Sequence, residues 1–136
     1  MAYYSRQMAR SARRSKSRLA ALRPQSVPYS SIAQLSQMLG VETTALLDVI
    51  GLPERTAARR RQDGQLKADE ADRLLRVARV LDEAMRIFGS QEKASAWLNT
   101  PAPALYKVTP FSLLESDAGT QAVTDELGRI DFGDFA

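Results

Sequence analysis

The 136-residue chain is 44% hydrophobic and 26% charged, an ordinary globular balance, with no run near the ~20 apolar residues that a membrane helix needs. It has neither cysteine nor histidine, which excludes disulfides, Ser–His and Cys–His nucleophile pairs and most transition-metal sites; carboxylates, Lys and Tyr remain as catalytic groups, so an enzyme is disfavoured without being excluded, and no catalytic residue, metal or cofactor is expected. The net charge of +3 is unevenly placed: residues 1–28 carry seven bases and no acid, residues 29–80 eight bases and seven acids, and residues 81–136 four bases and nine acids.

Residues 1–28 are rich in Ser and Arg, with Arg6, Arg10, Arg13, Arg14, Lys16, Arg18 and Arg23, and too poor in large apolar residues to fold alone. They read as a basic flexible arm ending near Pro24 and Pro28, either a solvated tail or a nucleic-acid arm. An organellar transit peptide has a similar composition.

A first helix is predicted from Ser30 or Ser31, with Ile32, Leu35 and Leu39 at helical spacing and Gly40 as its stop. A second starts near Thr43, with Leu46, Leu47 and Ile50 on one face and Gly51 as its end. Leu52-Pro53-Glu54 opens a third helix that should run to about Gln62, before Asp63-Gly64. A longer fourth helix is predicted over 68–88, its core stripe being Ala71, Leu74, Leu75, Ala78, Leu81, Met85 and Phe88. Asp69 with Arg73, Asp72 with Arg76 and Asp82 with Arg86 stand four apart on it, the favourable order for pairing along a helix. Further helices are expected at about 91–98, 110–115 and 118–127, with Thr109 capping Pro110 and Gly128 as a stop. No strand alternation is present, so the fold class is all-α. The chain divides into the arm at 1–28, a helix-turn-helix unit at 29–88 and a small helical unit at 89–136.

Helix, short Gly-containing turn and helix in succession, over Leu46–Ile50, Gly51–Pro53 and Glu54–Gln62, are the parts of a helix-turn-helix. The third helix would be the recognition helix. Arg55, Arg59 and Gln62 share one face at i, i+4 and i+7, flanked by Arg60 and Arg61. Arg can donate two hydrogen bonds to guanine and Gln can pair similarly with adenine, while Thr56 and Lys67 suit phosphates. A solvated charged face is the simpler explanation of such a run taken alone; the preceding helix, turn and basic arm turn it toward DNA.

From Pro53 onward the chain resembles the Xre/MbcA/ParS antitoxins. The resemblance rests on Glu54-Arg55-Thr56, Arg59-Arg60 and Ala71–Arg76, then on Phe88-Gly89, Lys93-Ala94, Trp97-Leu98, Pro101, Pro103-Ala104-Leu105, Thr109-Pro110, Leu113-Leu114, Gly119, Val123, Leu127 and Arg129-Ile130 through Gly133. It implies an Xre-like helix-turn-helix followed by a toxin-binding domain, and a bacterial cytoplasmic antitoxin that partners a toxin of the RES class, which attacks NAD. Operator double-stranded DNA and a second copy of the chain are the other expected partners. Three positions depart from the family pattern: Ala57 stands where Leu is common, Ala102 where Asn is usual, and Tyr106-Lys107 where the family has a Gly-rich pair. Tyr does not readily take the positive φ that Gly permits.

Trp97, Leu98, Leu105, Phe111, Leu114, Val123 and Leu127 read as core. After Gly128, the tail Arg129, Ile130, Asp131, Phe132, Gly133, Asp134, Phe135 and Ala136 holds two aromatics and two acids. Composition alone describes a frayed terminus. The resemblance implies instead that such a tail enters the toxin's active site, with Phe132 and Phe135 as apolar anchors and the carboxylates meeting cations. A stand-alone repressor whose C-terminal half only dimerises is the alternative reading.

Overall fold

A computed structural model describes residues 19–133. It is built from helices: α1 (Ser31–Leu39), α2 (Thr43–Val49), α3 (Glu54–Asp63), α4 (Ala68–Phe88), α5 (Gln91–Leu98) and α6 (Asp117–Gly133), with 3-10 turns at Pro24–Ser26, Pro103–Leu105 and Phe111–Glu115. Extended pairing among the described residues is confined to two isolated bridges, Pro28 with Gln65 and Ala102 with Val108. The fold is all-α. None of these helices is long and apolar enough to cross a membrane.

The stops act where the chain chemistry places them. Gly51, at φ 66°, turns the chain between α2 and α3, and a side chain there would have to adopt a left-handed backbone. Pro53 takes the cap position of α3, and Glu54 is its first residue. Ser90 caps α5 by accepting the Lys93 N–H at 3.1 Å. Thr109 Oγ1 accepts the Ser112 N–H at 3.3 Å, as a capping Thr should, although the turn that follows is 3-10 rather than α.

Helix α4 is the spine. Ala71, Leu74, Leu75, Ala78, Leu81 and Met85 are buried as the periodicity predicts, and so are Val77, Val80 and Ala84 on the adjoining face. Each of its fully buried leucines stabilises the fold by about 2 kcal/mol relative to exposure. α1, α5, α6 and the Pro24–Ser26 turn all pack on this helix. One continuous apolar cluster therefore runs from Leu19 to Leu127. Trp97, predicted as core, lies at its rim, with its ring centroid 5.6 Å from that of Phe88.

Three expectations change. The predicted arm ends earlier than residue 28, because Leu19 and Val27 are in the core and Pro28 bridges to Gln65; the remainder of the arm, 1–18, lies outside the described residues. Val27 O accepts the Leu66 N–H at 3.0 Å, and Gly64 O accepts the Tyr29 N–H at 3.0 Å, tying this segment to the end of α3.

Second, the arginines of α4 mostly reach other elements. Asp69 does pair with Arg73 at 3.7 Å, but Arg73 Nε also donates to Ile50 O at 2.6 Å, at the turn before α3. Arg76 pairs with Asp117 rather than Asp72 and donates to Leu114 O at 3.0 Å. Arg86 reaches Glu83 and Asp131 rather than Asp82, which is turned into the core.

Third, α6 does not stop at Gly128 but continues to Gly133. A glycine inside a helix costs about 1 kcal/mol, and here burial and ion pairs around it offset that cost. Leu127 is buried one residue earlier, Arg129 pairs with Glu126 at 2.7 Å, and Asp131 pairs with Arg86 at 3.0 Å.

The orientation of α3 depends on a buried ion pair. Arg60 and Glu70 are each 5% exposed, and Arg60 Nε donates to Glu70 Oε1 at 2.7 Å. The same carboxylate oxygen accepts the Lys67 N–H at 2.9 Å, closing the first turn of α4. Burial alone would raise the Glu70 pKa, but the Arg60 and Lys67 hydrogen bonds outweigh it and hold the carboxyl below its usual value. The unfolded chain therefore binds this proton more readily than the folded one. Stability from Glu70 is complete above its usual value of 4.5 and is lost as pH falls through the lower folded value. Urea midpoints measured from pH 7 to 3 should fall less steeply below pH 4.5 in Glu70→Gln than in the parent, from a lower starting point at pH 7.

The start of α6 is equally constrained. Gly119 N–H donates to Ser116 Oγ at 2.9 Å, and a Cβ on Gly119 would stand 2.0 Å from the backbone oxygen of Leu113. No rotamer relieves a clash with backbone. Gly119→Ala should lower stability by about 2 kcal/mol or more in urea denaturation, whereas Gly128→Ala, which meets open space, should be neutral or stabilising.

Candidate functional site

Two surfaces collect the residues singled out in the sequence. The first is the outer face of α3, which buries Ala57 and Arg60 against the rest of the fold. At 3.6 residues per turn, Arg55, Arg59 and Gln62 fall on the opposite side, and all three are exposed. Arg61 is exposed on the flank of α3 nearer Ala57, its guanidinium 5.6 Å from the centre of the Tyr29 ring. Thr56 is half-buried at the edge of this face, and Lys67 is exposed just before α4. The surface is a cationic ridge bearing fork-like donors, held on a rigid helix.

Arg60 does not belong to that ridge. Its side chain is directed inward, and its pKa is raised first by the Glu70 hydrogen bond and further by Glu70 and Asp63 charge. The signal was available in the spacing, since Arg60 follows buried Ala57 by three residues and so shares its face. The run of three arginines obscured it. Ala57 itself is buried, so a small residue serves the core at this position.

The second surface lies on the C-terminal part. Tyr106, Val108 and Phe132 are the exposed large hydrophobic residues among those described, and all three come from this part of the chain. Phe132 is 79% exposed on the last turn of α6. Arg129 and Gly133 are also exposed, Ile130 is half-buried, and Asp131 is held by Arg86; Asp134, Phe135 and Ala136 lie outside the described residues. The hydrogen bonds to Glu83 and Asp131 raise the Arg86 pKa, and that to Glu126 raises the Arg129 pKa. The Tyr106-Lys107 pair has the left-handed backbone of a Gly-rich turn even though neither residue is glycine, both at φ 61°. Among the described residues no three carboxylates converge in a way that could hold a metal ion.

Comparison with known proteins finds matches for both parts of the chain. Residues 18–79 match the antitoxin Xre-like helix-turn-helix domain, and residues 83–133 match the antitoxin Xre/MbcA/ParS C-terminal toxin-binding domain. The antitoxin Xre of Yersinia enterocolitica is 39% identical over 93 residues, which are 67% of this chain and 63% of that protein. The antitoxin Xre of Photorhabdus laumondii is 37% identical over 90 residues, 65% of this chain and 61% of its own length. A Sphingobium protein named Prs ADP-ribosylating antitoxin is 27% identical over 120 residues, 81% of this chain and 76% of that one. The match thus spans a little under two thirds of each of these two Xre relatives. With the two domain models following one another along the chain and these relatives carrying the same name, the chain belongs to the Xre/MbcA/ParS antitoxin family.

Proposed function

We propose that this chain is the antitoxin of a toxin–antitoxin pair, binding operator DNA through α3 and blocking its cognate toxin with its C-terminal surface. The observation that carries the reading is that the two kinds of exposed group fall in the two differently matched regions of the chain. A cationic ridge stands on the helix-turn-helix, and exposed apolar residues stand on the toxin-binding domain, where acids outnumber bases. The first has the chemistry of a duplex ligand and the second that of a basic protein ligand.

On DNA, Arg55, Arg59 and Gln62 read base edges, with Arg61, Thr56 and Lys67 at phosphates, and Arg60 acts from within by fixing α3. A homodimer would present two recognition helices to two half-sites and repress the antitoxin's own operon. The toxin is of the RES class, which degrades NAD. A pocket for NAD must neutralise a pyrophosphate, and an acidic tail meets the same cations. Inhibition is then steric and electrostatic, with no reaction performed by this chain. Asp131 is already committed to Arg86, so Phe132, Asp134 and Phe135 are the groups assigned to the plug.

Arg59→Ala should weaken operator binding by about 1–3 kcal/mol and relax preference at one base pair, without shifting the unfolding midpoint. Unchanged affinity and preference in a competition gel would remove Arg59 from base reading. Phe132→Ala should weaken the complex with the toxin encoded by the adjacent reading frame by about 2 kcal/mol, measured by calorimetry, and leave DNA binding intact. Equal affinity for that toxin would defeat the plug, and loss of DNA binding instead would favour a repressor that uses this end to dimerise.

A further inference from the structure

The segment 102–108 is a closed turn held by its own backbone. Ala102 N–H donates to Val108 O at 3.0 Å, Leu105 N–H to Ala102 O at 2.9 Å and Lys107 N–H to Ala102 O at 3.0 Å. Leu105, 1% exposed, pins the turn to the core. This closure places Tyr106 at φ 61°, ψ 21° and Lys107 at φ 61°, two successive residues in the left-handed region, where a Cβ crowds the neighbouring carbonyl. Gly or Asn would take either position with less strain.

The fold takes nothing from the Tyr106 ring in return, since it is 82% exposed. An aromatic presented to solvent by a strained, hydrogen-bonded backbone is the form of a contact residue, because strain of this kind collects where a ligand is clamped. We propose that Tyr106 is a second anchor for the cognate toxin, presented by the left-handed turn and separate in sequence from Phe132 and the tail. The inference rests on the antitoxin reading.

Charge selects this occupant. Residues 81–136 carry nine acids and four bases, which repels a phosphate backbone and would set like against like in a two-fold contact between copies. A basic protein surface meets neither obstacle. Tyr also brings large contact area at low cost in side-chain entropy.

The test uses the full chain and the purified product of the adjacent reading frame, with Tyr106→Asn, which suits a left-handed backbone, and Tyr106→Phe, which keeps the ring. Tyr106→Asn should unfold at the same or a higher urea concentration, yet bind the toxin at least about tenfold more weakly, with Tyr106→Phe within about threefold of the parent. Opposite signs on stability and binding distinguish a contact residue from a packing residue. Unchanged toxin affinity in Tyr106→Asn would overturn the anchor while leaving the antitoxin reading in place. A drop in the unfolding midpoint, or a change in the molar mass of the free protein, would also overturn it by returning Tyr106 to the fold or to a contact between copies. A parent chain that does not bind the toxin would overturn both the anchor and the reading beneath it.

Discussion

A 21-residue helix whose buried positions span an arc of about 220° cannot be covered by a neighbour on one side alone, and α4 is such a helix. The stripe of Ala71, Leu74, Ala78, Leu81 and Met85 is only part of that arc, which Val77, Val80 and Ala84 extend. The helices of both matched regions share the work of removing it from water. Removing the C-terminal helices would expose α4 as well as part of the core that supports the helix-turn-helix. The arrangement couples the two regions through a common hydrophobic cluster, with neither resting on an independent core.

Polar groups on α4 then fix what apolar packing leaves loose. Dispersion and burial are non-directional, so they hold helices together without specifying their angle closely. Glu70 fixes the inner side of α3 through Arg60, Arg73 fixes the turn before that helix through Ile50 O, and Arg76 and Arg86 fix the two ends of α6 through Asp117 and Asp131. The exposed pairs add little stability individually. Their common geometric effect is to set α3 and α6 relative to one rigid helix, and the buried Arg60–Glu70 pair contributes in the same way, through orientation more than through net stability.

This division of labour explains why neighbouring arginines on α3 have different fates. Arg59 and Arg61 emerge from the helix into solvent, whereas Arg60, between them, faces Glu70. An arginine in that place brings its charge into the fold only because a carboxylate of α4 meets it at hydrogen-bonding distance. The exposed face keeps its cations free of that partner. At the other end, α6 carries Phe132 outward on a turn that Asp131 anchors, so an aromatic at the end of the described chain is held by a regular helix.

Local chemistry determined much of this directly. Helical spacing located α1 to α5 closely, because Gly40, Gly51, Gly64 and Gly89 break the chain between apolar stripes, and the exposed face of Arg55, Arg59 and Gln62 follows from the helical period alone. The motif pattern was also enough to indicate the family. Tertiary structure decided what depends on partners distant in sequence. Only the packed fold shows that Leu19 and Val27 join the core, that Arg60 turns toward Glu70, that Arg76 and Arg86 reach across to acids of α6, and that α6 passes through Gly128. It likewise sets Tyr106 and Lys107 in a backbone that neither prefers, because the hydrogen bonds closing 102–108 and the burial of Leu105 outweigh a local preference of about 1 kcal/mol per residue. Local propensities are worth tenths to about one kcal/mol, and contacts across the fold overrule them wherever burial or a well-placed charge is worth more.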